Sequence, residues 1–454
     1  MGLDPDDLDR CLRVIAEAET LPPEHPDAVA VRRATASLYK AVKERRRADR
    51  RAAVLANDAA VTAATATGAP GRIDDETQGL PLRANGNGDR AGTLLQARGC
   101  YVCKQRYVEV DAFYHQLCPD CARVNHDKRE ARTDLTGRRA LLTGGRAKIG
   151  MYIALRLLRD GAHTTITTRF PRDAARRFSE LPDSGDWLHR LRIVGLDLRD
   201  PAQVVQLADS VAECGPLDVL INNAAQTVRR SPGAYAPLTD AESLPLPPGP
   251  APEVLTLGRA RLHGAAVEAL VAGEDHGVAL DAGVDAAGLL PDLAPVNSWV
   301  QAVGDVDALE LLEVQLCNST APFILVNRLR PALAASSARR TYVVNVSAME
   351  GQFNRGYKGP GHPHTNMAKA ALNMLTRTSA QELLTDGILM TSVDTGWITD
   401  ERPHPTRQRL AEDGFHAPLD LVDGAARVYD PIVRGEAGED LHGCFLKDYA
   451  PAPW

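Results

Sequence analysis

From residue 135 onward the sequence predicts an α/β fold built on a doubly wound parallel sheet, and three observations carry that expectation. Short apolar, β-branched runs recur along the chain, helical stretches separate them, and a glycine-rich turn closes the first run. The runs are "RRALLTGG", "HTTITTR", "RLRIVGLDL", "DVLINNAA", "RTYVVNVSA", "ILMTSVDTG" and "HGCFLKDY". Strands buried on both faces read as continuous apolar runs, because helices cover the sheet above and below. Helices are expected at "KIGMYIALRLLRDGA" and over 201–214, 306–335 and 365–386.

At 454 residues the chain is long enough for two or three structural units. Its 44% hydrophobic and 24% charged residues are ordinary for a globular protein, and a net charge of −7 argues against a nucleic-acid-binding protein overall. No run of 18 apolar residues occurs, so no membrane span is expected. The opening "MGLDPDDLDRCLRVIAEAE" is acidic and lacks a signal peptide's basic then apolar order, and Asp6 in sixth place argues against myristoylation at Gly2. A cytoplasmic location is the expectation.

Residues 1–95 read as an arm and a linker. Positions 1 to about 66 are Ala- and Arg-rich and helical in pattern, and "KERRRADRR" is best taken as a solvated helix face. Positions 67–95, rich in Gly, Asn and Asp, read as the linker. Residues 96–134 contain Cys100, Cys103, Cys118 and Cys121 as two C-x2-C pairs. Two such turns supply the four thiolates of a tetrahedral zinc site, and a closed four-thiolate site is structural because no position is left for water. The residues between the pairs suggest a small hairpin, with His115 and His126 at the surface. Cys11, Cys214, Cys317 and Cys444 are scattered and expected to pack as small apolar side chains.

The remaining unit, 135–454, is interrupted at about 226–305, where Pro-rich "YAPLTDAESLPLPPGPAPEV" and a possible helix "GRARLHGAAVEALVAG" break the rhythm. So long an interval in an α/β core is read as an insertion over the site, at the sheet edge where ligands bind.

The first strand-to-helix turn, "TGGRAKIG", supplies Thr143, Gly144, Arg146, Lys148, Ile149 and Gly150. Glycines there let the backbone approach a pyrophosphate that meets the helix N-terminus. It is followed in order by Asp197 and Leu198 after the third strand, by Asn222, Asn223 and Ala224 after the fourth, and by "NSTAPF" on a later helix. This ordered set resembles the short-chain dehydrogenase/reductase family over roughly 135–449, which implies a Rossmann-like fold and a nicotinamide cofactor. The resemblance places Gly144 and Gly150 in the glycine turn, with Lys148 where a middle glycine usually stands. It gives Asp197 the adenine edge, Asn222 and Ala224 the support of the nucleotide, and Thr399 the nicotinamide carboxamide, with Thr395 in place of the usual proline. No acidic residue ends the second strand. Arg169 stands there and Arg146 in the glycine turn, so charge favours the 2′-phosphate of NADP(H) over NAD(H).

The family's catalytic residues are an Asn, a Ser, a Tyr and a Lys. Asn318 and Lys369 match; the tyrosine position is Thr365, and the serine position falls on Ala348, or on Ser347 with a one-residue slip. A threonine cannot supply a proton as a phenol tuned from about 10 does. Tyr357, His362 and His364, just before or at the helix start, are the candidate replacements. Two readings stay open: an oxidoreductase acting on a carbonyl, alcohol or imine at a modified site, and an inert nucleotide-binding scaffold acting through partners. Family members pair through the helices bearing Asn318 and Lys369, which implies a homo-oligomer, dimer or tetramer. The small-molecule substrate is not legible.

Overall fold

The computed structural model describes residues 2–70, 72, 89–246, 249–257, 277–278, 283–285 and 287–454. The chain opens with α1 (Pro5–Thr20) and α2 (Pro26–Ala63), so the single helical stretch read from the sequence is broken at the Pro22-Pro23 turn. Asp4 caps α1 by accepting the backbone N–H groups of Asp6 and Asp7, and Pro5 sits where its missing N–H costs nothing. A hairpin follows, β1 (Arg90–Gly99) against β2 (Arg106–Asp111), and then α3 (Pro119–Glu130). This corrects two expectations. The hairpin brackets the first C-x2-C pair instead of lying between the pairs, and part of the supposed linker is strand β1. Its middle, 73–88, lies outside the described residues.

The Rossmann-like core is built from β3 (Arg139–Leu142), α4 (Lys148–Arg159), β4 (His163–Thr168), α5 (Pro171–Ser179), β5 (Leu191–Gly195), α6 (Pro201–Glu213) and β6 (Val219–Asn222). After the insertion come α8 (Ala308–Gln315), α9 (Ala321–Ala334), β8 (Thr341–Ser347), α10 (Pro363–Leu384), β9 (Ile388–Asp394), α11 (His404–Glu412), α12 (Leu421–Glu436), β10 (Phe445–Lys447) and β11 (Ala450–Ala452), with α7 (Ala236–Ser243) and β7 (Glu253–Thr256) in the insertion itself. The sheet order is β11-β10-β9-β8-β6-β3-β4-β5-β7, parallel throughout except for the β10–β11 pair. Strand order reverses between β3 and β6, and the crevice at their carboxyl ends is where such sheets bind ligands.

Each predicted strand is present. Leu141, Leu142, Ile166, Ile193, Leu220, Ile221 and Val343 are fully buried, each side chain contributing about 1.5–3 kcal/mol by leaving water. One face of the sheet packs α4 and α12, the other α6 and α9. Part of the insertion joins the sheet: β7 extends it by pairing with β5, Ile193 opposite Val254. Its supposed helix over 258–273 lies outside the described residues. Among the described residues, Ala308–Ala334 alone is long and apolar enough to cross a membrane, but half of it is buried within the fold. That helix is also interrupted, by a π turn at Leu316–Thr320.

Candidate active site

The glycine turn is locked by close contacts that a side chain would break. Gly144 has φ +70°, and a Cβ on Gly150 would lie 1.9 Å from the Gly144 carbonyl oxygen. Lys148 takes φ 53°, so the residue standing for the middle glycine adopts the left-handed backbone at a cost of about 1–2 kcal/mol. Behind the turn, the Asn223 side-chain amide donates to the carbonyls of Thr143 and Gly144, both at 3.0 Å. The Thr143 hydroxyl accepts the N–H groups of Asn223 and Ala224, also at 3.0 Å. Asn222 is instead tied into the sheet by donating to Asn345, 2.8 Å away. Ile149 and Gly150 open α4, whose N-terminus has no side-chain cap and is thus suited to an anion.

At the end of β4, Arg169 donates to the Tyr235 hydroxyl (3.2 Å) and lies over that ring, 4.9 Å from its centre. Arg146 and Arg177 share the Asp173 carboxylate at 2.6 and 2.7 Å. Two guanidinium groups thus share one carboxylate in a partly buried corner, with Arg169 beside them facing Tyr235 and Asp197. Asp197 is held by Arg199 at 2.6 Å, and Arg199 also reaches Glu313 at 2.7 Å, so that carboxylate is already neutralised. Leu198 beside it is buried.

The opposite end of the cleft holds the catalytic candidates. Asn318 sits buried in the π turn; its side-chain oxygen accepts the Gln226 N–H at 2.7 Å and its amide donates to the Gln226 carbonyl at 2.9 Å. One strand end and one helix are thereby clamped together. Lys369 is buried on α10 and donates to the Val346 carbonyl at 2.9 Å. Burial pushes its ammonium down to about 8, against smaller support for the charge from Cys317 and Glu350. Thr365, one helical turn earlier, is buried, and among the described residues its hydroxyl has no hydrogen-bond partner.

The residues the sequence offers as alternative proton donors fare differently. Tyr357 is 77% exposed on the loop before α10 and is not part of the site. Ser347 points into the fold and donates to Asn373 at 2.6 Å, so it does not take over from Ala348. His362 stacks on Trp299 of the insertion, 4.0 Å between ring centres, and bonds its carbonyl. His364 is buried with its Nε2 3.6 Å from Glu310, and Glu310 in turn accepts from Ser298. The insertion therefore contacts the start of α10 directly through Trp299, and through Ser298 only by way of Glu310.

Sequence reasoning missed Glu401. Its carboxylate lies 3.7 Å from the Lys148 ammonium and accepts from the Thr399 hydroxyl at 3.1 Å. Burial opposes its charge, but Lys148, Arg230 and Arg407 outweigh that and hold the acid at about 2. The only signal was its place two residues after Thr399 in "DTGWITDE".

The chain matches the family described as short chain dehydrogenase over residues 138–242. It is also 32% identical over 356 residues to an uncharacterized protein of Acanthamoeba polyphaga mimivirus, covering 74% of this chain and 71% of that one. This chain belongs to the short-chain dehydrogenase/reductase family. A probable oxidoreductase of Streptomyces antibioticus is 43% identical over 91 residues, which spans 20% of this chain and 30% of that protein. Among solved structures, a short chain dehydrogenase from Burkholderia cenocepacia in complex with NADP aligns at TM-score 0.45 and 20% identity, over 69% of this chain and 97% of that one. A carbonyl reductase from chicken fatty liver with NADPH bound aligns at TM-score 0.45 and 18% identity, over 70% and 100%. The short-chain dehydrogenase/reductase family is one of NAD(P)-dependent oxidoreductases, and the sheet order and glycine turn described above are its framework.

The cysteine module stands beside this framework. The sulfurs of Cys100, Cys103, Cys118 and Cys121 lie within 4.8 Å of one another, with Cys103 and Cys118 3.6 Å apart. The edge of a tetrahedral four-thiolate zinc site is about 3.8 Å, so the cluster fits that ion. Cys118 is the N-cap residue of α3. His115 is not a surface residue, being buried against the Thr67 hydroxyl at 2.8 Å, whereas His126 stays partly exposed and pairs with Asp111 at 3.1 Å. Cys11 and Cys214 are exposed instead of packed.

Proposed function

We propose that this protein is an NADP(H)-dependent oxidoreductase that reduces a carbonyl or imine, or oxidises the corresponding alcohol or amine, with proton handling shifted from a phenol to the Thr365–Lys369 pair. The observation that carries the reading is Lys369. It is buried at the family's lysine position and held at the Val346 carbonyl, with its ammonium near 8. A proton donor of that strength suits neutral pH. The nicotinamide supplies the hydride when bound. In reduction, the Thr365 hydroxyl, unpartnered in the fold, orients the substrate oxygen or nitrogen and passes it a proton, and the Lys369 ammonium replaces that proton. Asn318 keeps the Gln226 backbone fixed at the rim.

Charge at the ribose end supports NADP(H). Arg146 and Arg177 share Asp173, and Arg169 lies close to Arg146, a clustering of guanidinium groups suited to a 2′-phosphate. The four-cysteine cluster is assigned to structural zinc. Exposed Leu312 and Phe323 on α8 and α9, and Met367 and Met374 on α10, support pairing of two copies through these helices. Light scattering of the purified protein tests that pairing, and a monomer at all concentrations rules it out.

The activity is tested by following NADPH oxidation against a panel of aldehydes, ketones and imines, beside direct titration of NADPH and NADH. Turnover with tighter NADPH binding is expected. If NADPH binds but no member of the panel is reduced, and no alcohol or amine counterpart is oxidised, the inert scaffold becomes the better account.

A further inference from the structure

The cysteine module is wired to the wall of the cleft that carries Thr399. Tyr101 stands between the first two cysteines, and its hydroxyl accepts the backbone N–H of Trp397 at 2.9 Å. Trp397 is two residues before Thr399, and the adjacent Gly396 turns at φ +76° with the Tyr101 oxygen 3.6 Å from where its Cβ would be. The far end of the same segment is fastened too. Arg72 donates to the carbonyls of Ala417 and Leu419 at 2.7 and 2.6 Å, and the Leu419 N–H returns to the Trp397 carbonyl at 3.3 Å. Beyond it, Tyr114 donates to Asp423 at 2.6 Å, and Arg129 grips Asp420 with both arms at 2.5 and 3.0 Å. Asp420 and Asp423 form the capping box that starts α12, and Arg427 in that helix reaches back to Asn125 at 2.9 Å.

A staple that merely stabilised its own hairpin would need none of these bonds. Instead, polar groups of the module meet both ends of the segment 395–420, partly buried Tyr101 at one and buried Tyr114 and Arg129 at the other, and these groups stay bonded only while the module keeps its shape. Thr399 and Glu401 lie inside that segment.

We propose that the four-thiolate module positions the nicotinamide side of the active site: Tyr101 is a positioning residue for Thr399 acting through Trp397, and the metal held by Cys100, Cys103, Cys118 and Cys121 keeps Tyr101 in place. The inference deepens the NADP(H) reading above and rests on it only for its effect on binding.

The test is Tyr101→Phe in the full-length protein, which removes the acceptor and leaves the ring and the cysteines. Three quantities are measured: metal content by chromogenic chelator, hydrogen exchange of backbone amides over 395–400, and the Kd for NADPH. The expected result is unchanged metal content, faster exchange over 395–400, and a Kd raised about tenfold, as for one lost buried hydrogen bond. Removal of the metal by a chelator, with far-UV circular dichroism retained, is expected to speed exchange of the same amides. Unchanged exchange over 395–400 in Tyr101→Phe overturns the proposal, whatever the affinity does. Faster exchange with an unaltered Kd overturns the link to the cofactor. If wild-type protein binds no NADPH, the functional reading above fails on its own, while the exchange result still decides whether Tyr101 holds the loop.

Discussion

The two ends of the cleft are constrained in different senses. At the nucleotide end the constraint is on backbone: Gly150 can be nothing larger, because its neighbour's carbonyl occupies the space a Cβ would need. At the proton-transfer end the constraint is on side-chain chemistry alone. In the reading proposed above Thr365 takes the place of a tyrosine; it is buried, and the helix around it is intact. A fold can exchange a catalytic side chain without moving its frame, whereas it cannot exchange the glycine that lets two backbones meet. The steric half of a site therefore persists while the acid changes.

The sharpest way to break this contrast is Gly150→Ala. Its Cβ would lie 1.9 Å from the Gly144 oxygen, so the turn must open. We expect a loss of about 3 kcal/mol of stability, and NADPH binding below detection. Thermal melts and a fluorescence titration check both, and near-native affinity would show that the turn is softer than its packing implies. Thr365→Ala should do the opposite to stability. Deleting a buried hydroxyl that has no partner is close to neutral, within about 1 kcal/mol, while turnover falls about 100-fold if that hydroxyl passes the proton.

Lys369→Met comes next. It should cut turnover about 100-fold and also alter two pH profiles. In the native protein the ammonium titrates near 8, below the ordinary lysine value of 10.5. Between those values the unfolded chain binds a proton that the native protein does not, so native stability rises with pH over that window. The methionine variant should lack the rise in urea midpoints measured from pH 8 to 10. The wild type should also lose affinity for the anionic nucleotide as pH passes about 8, and the variant should not. A wild-type titration that survives in Lys369→Met assigns the proton to another group.

Much of this was legible in the chain and some was not, for physical reasons. Buried parallel strands are written as local apolar runs, so "DVLINNAA" and "ILMTSVDTG" announce themselves. Strand β7 did not, because "EVLT" follows a Pro-rich stretch and pairs with a strand some sixty residues earlier (Arg192 with Glu253). The glycine turn and the four cysteines were readable because spacing alone determines their geometry. The acid was not: Tyr357 and His364 lie close to Thr365 in sequence, yet one points to solvent and the other to Glu310. Proximity along a loop says nothing about direction. Glu401 escaped notice because two of its partners, Lys148 and Arg230, come from distant segments.

Glu401 supplies the smallest and most discriminating test. Its carboxylate neutralises part of a cation cluster, with Lys148 at the glycine turn, and it also accepts the Thr399 hydroxyl. Glu401→Gln separates these roles, since the amide oxygen still accepts from Thr399 while the charge is gone. If the loop is placed by hydrogen bonds, it stays put and the uncovered cations attract the nucleotide more strongly. NADPH should then bind about threefold tighter at low salt, and the gain should vanish at about 1 M salt, where the screening length is near 3 Å. The native acid titrates near 2, below its ordinary 4.5, so the stability it contributes is present above 4.5 and lost as pH falls through 2. Weaker binding by Glu401→Gln at every salt concentration would instead mean that the ion pair holds the loop closed. The nucleotide end would then also depend on an exchangeable side chain, which is what the contrast with the proton-transfer end denies.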